Sequence, residues 1–174
     1  MKEVYRSKAY TFYEYKPTVL RPFYMELEKL YLKRRLRLAI AYFSGYKVYY
    51  VKENERYVGY CVVSQGGASR YWFSNKADII VGPYYICPEY RGRKLSELML
   101  DVVLNRLNID YACAYEYIAK NNRPSIKAAK SIGFYRIKEA DVTPLLRNIR
   151  PRENGTGTYW IFKLDVRREI SANG

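Results

Sequence analysis

The chain has 174 residues, enough for one domain spanning residues 1–174, and at 49% hydrophobic it can bury a core, which excludes a disordered chain. It contains no histidine, which excludes imidazole bases, Ser-His triads and His-ligated metal, so no metal site is expected. The net charge of +14 attracts anionic partners (phosphate-bearing ligands, nucleic acid, anionic lipid) without choosing among them.

Along the chain, alternation over Tyr10–Tyr15 predicts a first strand. Pro17 and Pro22 frame the start of a helix running to about Phe43, with Phe23, Leu27, Leu30, Tyr31 and Ile40 among its apolar positions. Tyr46–Lys52 and Tyr57–Ser64 read as a hairpin across Glu53–Arg56. A loop follows over Gln65–Ser69, and Tyr71–Phe73 can rejoin the sheet. Ile79–Cys87 is the most apolar strand and is placed centrally. A helix over Lys94–Leu107, a strand over Tyr111–Ile118 and a short helix over Pro124–Ile132 come next. Phe134–Lys138 and Tyr159–Asp165 are final strands, joined by a long basic loop over Asp141–Thr158. This order predicts one α/β (α+β) domain, a mixed sheet with helices on both faces. Cys61, Cys87 and Cys113 lack a CxxC spacing and read as buried reduced thiols. With no legible export signal or apolar run long enough to span a bilayer, the expected location is the cytoplasm.

The stretch from Asp78 to Phe134 says most. An apolar strand ends at Pro88, turns through Arg91-Gly92-Arg93-Lys94-Leu95-Ser96 and enters a helix. Amide groups at a helix start are unpaired and the dipole is positive there, so the turn can cradle a pyrophosphate; the plain alternative is a solvated basic turn. Asn122 and Ser125 open the next helix, as ligand contacts or as helix-start residues, and Gly133-Phe134 closes it. Taken together, this segment resembles the acyl-CoA site of the GNAT acetyltransferase family. That family's turn reads Arg or Gln, two residues, Gly, one residue, then Gly or Ala. Arg91 matches the first position, whereas Lys94 and Ser96 replace small residues. Because Lys94 has a Cβ, it is expected in an ordinary helical conformation in the first turn.

The resemblance implies that the two central strands splay and that acetyl-CoA binds between them. Its contacts would be the backbone of Tyr84, Tyr85 and Ile86, the turn Arg91, Gly92, Arg93, Lys94, Leu95 and Ser96, and Asn122 and Ser125. Many members carry Glu five residues before the motif Asn and Tyr seven after it; here these positions are Tyr117 and Ala129. Glu116 is the nearest carboxylate, and alternation puts Glu116 and Tyr117 on opposite faces. Glu116, Tyr117 and Tyr85 are therefore the catalytic candidates, with Glu14 a further base candidate. The basic and aromatic residues Tyr24, Tyr31, Arg34, Arg35, Trp72, Arg147 and Arg150 suit an acceptor such as a phosphorylated or nucleotide-linked amino sugar. The expected activity is acetyl transfer from acetyl-CoA to a small amine by a monomer or homodimer. The alternatives are a protein or peptide acetyltransferase, a CoA-binding relative without turnover, or a basic nucleic-acid module, the last disfavoured because no RNP, KH or zinc-finger pattern is present.

Overall fold

Strand pairing organises the chain into one nine-stranded sheet of order β1-β2-β3-β4-β5-β6-β9-β7-β8. The computed structural model describes residues 1–29, 31–107, 109–144, 147–153 and 155–165; Leu30 of the expected first helix lies outside them. The strands are β1 (Lys2–Arg6), β2 (Thr11–Tyr15), β3 (Tyr46–Glu53), β4 (Arg56–Gln65), β5 (Ile79–Ile86), β6 (Cys113–Ala119), β7 (Tyr135–Val142), β8 (Ile149–Arg152) and β9 (Tyr159–Asp165). The helices are α1 (Leu32–Tyr42), α2 (Leu95–Asp101) and α3 (Arg123–Ile132), and α2 runs on as π-helical turns over Val102–Arg106. Every strand pair is antiparallel except β5–β6, which are parallel.

Side-chain alternation sends each strand's apolar residues to two sides. On one side Leu95, Met99 and Leu100 of α2 and Ala128 and Ala129 of α3 pack on Val51, Cys61, Val81 and Ala114. On the other, Leu38 and Ala41 of α1 pack on a tyrosine-rich patch around Tyr46, Tyr50 and Tyr60. Helices thus cover both faces, as the sequence predicts.

The first helix begins ten residues later than its apolar pattern suggests. Phe23 is still buried, but the sheet's tyrosines take the backbone groups a helix would have used. Tyr15 Oη donates to the carbonyl of Arg21 at 2.8 Å and Tyr46 Oη to that of Pro22 at 3.2 Å. Tyr50 Oη donates to the carbonyl of Met25 at 2.9 Å and accepts its N–H at 3.2 Å. Tertiary hydrogen bonds here win over local propensity. Two further strands escape the sequence pattern. Both β1 and β8 are edge strands, short and rich in charge, so alternation is weak in them. The segment read as a basic loop contains β8, and Tyr71 meets it through an isolated bridge to Ile149.

Candidate active site

The two central strands pair only at Ile79–Ala114 and Ile80–Tyr115 and then part. What parts them is visible in the β4–β5 register, where Cys61 faces Tyr84 and Val63 faces Val81, so Gly82 and Pro83 stand opposite the single residue Val62. Such a bulge bends a strand and raises its twist. Gly82 takes φ +107°, open to glycine, and Pro83 can sit inside a strand because the bulge interrupts the ladder. The gap opens into a cleft of about 460 Å³. Its walls come from β5 (Val81 to Tyr85), β6 (Glu116 to Ala119), the start of α3 (Asn122, Ser125) and a group of arginines.

At the far end of β5, Pro88–Tyr90 forms a 3-10 turn leading to α2. Gly92 has φ +79°, and a Cβ there would meet nothing within 4 Å, so the turn is open on that side. Lys94 corrects the expectation of an ordinary helical conformation: it caps α2 with φ +56° and ψ 21°, a left-handed geometry. The chain keeps a glycine-like bend with a lysine in it, at a cost on the order of 1 kcal/mol. Arg91 folds back, with Nε donating to the carbonyl of Ile86 at 3.1 Å and its guanidinium 5.7 Å from the Tyr85 ring. Arg93 lies over Tyr90 at 5.0 Å and within 4.0 Å of Glu53. Arg91 Nε is thus engaged within the protein, while Lys94 stands exposed at the start of α2. Across the gap, Asn122 Oδ1 accepts the N–H of Ser125 at 3.3 Å, capping α3, and leaves its amide NH₂ as the group to offer a ligand.

Glu116 and Tyr117 fall on opposite faces. Glu116 lies between Ala114 and Ile118 on the side covered by α2 and α3. It is 1% exposed, and neither carboxylate oxygen has a hydrogen-bond partner among the described residues. Burial pushes its carboxyl up to about 8. Burial, and after it the Glu116 charge, raises the Tyr84 hydroxyl and the Cys61 thiol, which marks both as its neighbours. Tyr117 points the other way. Its hydroxyl accepts from Arg70 at 3.0 Å, and its ring lies 6.3 Å from that of Tyr159. Tyr85 shares this side, stacked on Tyr60 at 6.1 Å. Tyr60 Oη bonds Arg34 at 2.6 Å and also Glu28, which in turn pairs with Arg34 at 2.8 Å.

The sequence profile described as "Acetyltransferase (GNAT) family" matches residues 10–134. The chain belongs to the GNAT acetyltransferase family. No curated protein matches it. Among solved structures it is similar in fold to an acetyltransferase from Thermus thermophilus, with TM-score 0.57, 15% identity, 81% of this chain and 79% of that one covered. It is also similar to yncA, a putative acetyltransferase from Salmonella typhimurium with its cofactor acetyl-CoA (0.55, 16%, 94% and 98%). A third is an aminoglycoside N(6')-acetyltransferase from Legionella pneumophila (0.55, 16%, 88% and 91%). As a GNAT protein the chain is an acyltransferase by family. No helix among the described residues is long and apolar enough to cross a membrane.

The structure brings most of the expected GNAT site together but redraws its acceptor side. Glu14 lines a second cleft with Lys47 and Arg106, pairing with Lys47 at 2.8 Å, so it is away from the strand gap. Tyr24, Tyr31, Arg35, Trp72 and Arg150 do not line the cleft, whereas Arg34 and Arg147 do. Arg35 pairs with Glu26, and Arg150 lies 5.7 Å over Trp72, which is 65% exposed. The sequence reading missed Glu28, Arg37, Arg70 and Tyr159. Arg34, Arg37, Leu38 and Ala41 repeat at helical spacing, a signal that was available for Arg37. Arg70 sits in a loop and carried none.

Proposed function

We propose that this protein is an acetyl-CoA-dependent N-acetyltransferase acting on a primary amine of a small molecule, with a phosphorylated or nucleotide-linked amino sugar as the lead acceptor class. The observation that carries the reading is the parted β5–β6 pair opening on a cleft whose wall holds a buried carboxyl with no hydrogen-bond partner among the described residues. A thin extended ligand can lie in such a gap and meet strand backbone, as an added strand would. The residues suited to hold acetyl-CoA are Lys94 and the amides of Gly92 to Ser96 at the phosphates, Asn122 and Ser125 at the pantetheine, and the backbone of Tyr84 to Ile86 near the acetyl group. Bound acetyl-CoA supplies a thioester whose carbonyl carbon takes the amine as the C–S bond breaks. The amides near Tyr85 would hold the carbonyl oxygen as it gains charge. Glu116, in carboxylate form, would take the proton that the amine gives up, directly or through a water, and its raised pKa suits that task near neutral pH. Tyr117 and Tyr85 would orient the amine from the opposite face.

Residues 1–174 act as one catalytic domain in this reading, supported by β7, β8 and β9, which lie past the matched segment yet pair into the same sheet. The free thiols Cys61, Cys87 and Cys113 suit the cytoplasm. The test has two steps. Calorimetry should show saturable acetyl-CoA binding, and an amine panel should then release free thiol. Binding without release for every amine would reduce the protein to a CoA-binding member of its family, and absence of binding would remove the proposal.

A further inference from the structure

Four guanidinium groups from three separate segments line the acceptor end of the cleft: Arg34 and Arg37 of α1, Arg70 of the loop after β4, and Arg147 of the segment before β8. The carboxylates of that lining are Glu28 and Glu116. Glu28 is engaged by Arg34 and Tyr60, and Glu116 faces the other side of the sheet, among apolar neighbours. Arg70 and Arg147 donate to neutral acceptors, a carbonyl and two tyrosine hydroxyls, so through these two the arginine group brings positive charge to the cleft. Assembling it has a cost: after desolvation, the charges of Arg147 and Arg70 are what hold the Arg37 guanidinium below its ordinary pKa.

The group is also built rather than merely crowded. Arg70 Nε donates to the carbonyl of Arg147 at 3.1 Å while its other arm donates to Tyr117 Oη. Arg147 sits at φ +53°, a left-handed conformation uncommon for a residue with a side chain. That strained turn is fixed by Arg70 and by Thr143, whose carbonyl accepts the N–H of Arg147 at 3.0 Å. Held there, Arg147 reaches Tyr159 Oη at 3.3 Å. Like charges gathered at a cleft and backbone strain spent on aiming one of them point to a ligand that neutralises them.

We propose that Arg37, Arg70 and Arg147, with Arg34 behind them, form a seat for an oxyanion, so that the acceptor is a compact amine carrying a phosphate or carboxylate. This rests on the acetyltransferase reading above and narrows it. Trp72 and Tyr31, two rings suited to stack on a nucleoside, stand off the cleft and are 65% and 68% exposed, while Tyr85 and Tyr117 at its wall pack against Tyr60 and Tyr159. The phosphate of the lead class is kept, and a compact amine needs no stacking partner. Polyamines and other cationic acceptors are disfavoured by charge.

The experiment uses the full chain saturated with acetyl-CoA, so that the phosphate-binding turn is already filled. Thiol release is measured for matched short amines ending in methyl, carboxylate, phosphate or a second ammonium. The expected order places one of the oxyanion amines roughly ten- to hundredfold above the methyl analogue in kcat/KM, with the diamine lowest. Which oxyanion leads separates phosphorylated amines from amino acids. Arg70→Gln and Arg147→Gln should each collapse the ratio of oxyanion to methyl substrate. In parallel, calorimetry with inorganic phosphate and with acetate should show saturable binding that Arg147→Gln weakens; Arg147 is partly exposed and outside the core, so its loss should leave the fold intact. Equal or better turnover of the methyl amine or the diamine overturns the seat. So does unchanged anion binding in Arg147→Gln. If no amine reacts but the anion still binds in an Arg147-dependent way, the seat stands and the acetyltransferase reading falls.

Discussion

The two walls of the strand gap differ in chemistry and in how they are built. The wall beneath α2 and α3 comes largely from one stretch, Ile79 to Phe134, apolar apart from its basic turn, and among the described residues of that stretch Glu116 is the buried carboxylate. The opposite wall is polar, arginine-rich and drawn from α1, the loop after β4, β6 and the segment before β8. In the function proposed above, the ligand shared by the family is met by contiguous backbone and turn geometry, and the particular acceptor by side chains from dispersed segments, which can vary without disturbing the sheet.

Glu116 tests the dry wall most severely. In the folded protein burial holds its proton up to about pH 8, whereas an unfolded glutamate releases it near pH 4.3. Between those values the folded state binds more protons, so this group stabilises the fold at low pH and that contribution is lost as pH rises through 8. From about pH 5 to pH 9 the loss is on the order of 3–5 kcal/mol, and Glu116→Gln should flatten that slope in urea titrations. The same substitution should lower kcat by about a hundredfold and abolish a rise of rate with pH centred near 8, since only the ionised carboxyl can accept the amine's proton. A kcat that survives Glu116→Gln at every pH would make the amine's own ionisation in solvent sufficient and leave catalysis to positioning.

The phosphate turn comes next in size. Arg91 is held by the carbonyl of Ile86 and by Tyr85, so Lys94 is the cation to reverse. Lys94→Glu should weaken acetyl-CoA binding roughly ten- to hundredfold at low salt and less at high salt. An unchanged affinity by calorimetry would move the phosphates elsewhere. Asn122→Ala has a smaller, divided effect. It removes the α3 cap, costing about 1 kcal/mol, and should raise the acetyl-CoA KM several-fold if the amide NH₂ meets pantetheine. A stability loss with an unaltered KM would make Asn122 a cap alone.

The contrast between the walls also explains what the sequence could disclose. The Asp78–Phe134 wall was legible because strand, turn and helix signals are local, and the splay followed from family resemblance rather than from any pattern in the residues. Alternation put Glu116 and Tyr117 on opposite faces but could not say which faced the apolar side; Ala114 and Ile118 packing under the helices decided it. The acceptor wall was only half legible. Arg34 and Arg147 were anticipated, yet Arg70 is brought in by a carbonyl 77 positions away, a contact with no local trace. The segment after Pro22 read as helix because its apolar spacing is helical, while the hydroxyls that take the carbonyls of Pro22 and Met25 belong to Tyr46 and Tyr50 on β3, 24 and 25 positions away.

The smallest effect separates two demands that meet at one residue. Lys94 occupies a left-handed position that glycine would fill without strain, and the retained ammonium is what a phosphate wants. Lys94→Gly should therefore stabilise the fold by up to about 1 kcal/mol, less the entropy that glycine returns to the unfolded chain, while weakening acetyl-CoA binding a few-fold. Lys94→Ala keeps the strain and loses the charge, so it should weaken binding to a similar degree with no gain in stability. Comparing the two variants by urea unfolding and by calorimetry isolates backbone from charge. If glycine binds acetyl-CoA as well as lysine does, the turn works through its amides alone, and the left-handed lysine serves neither the fold nor the ligand.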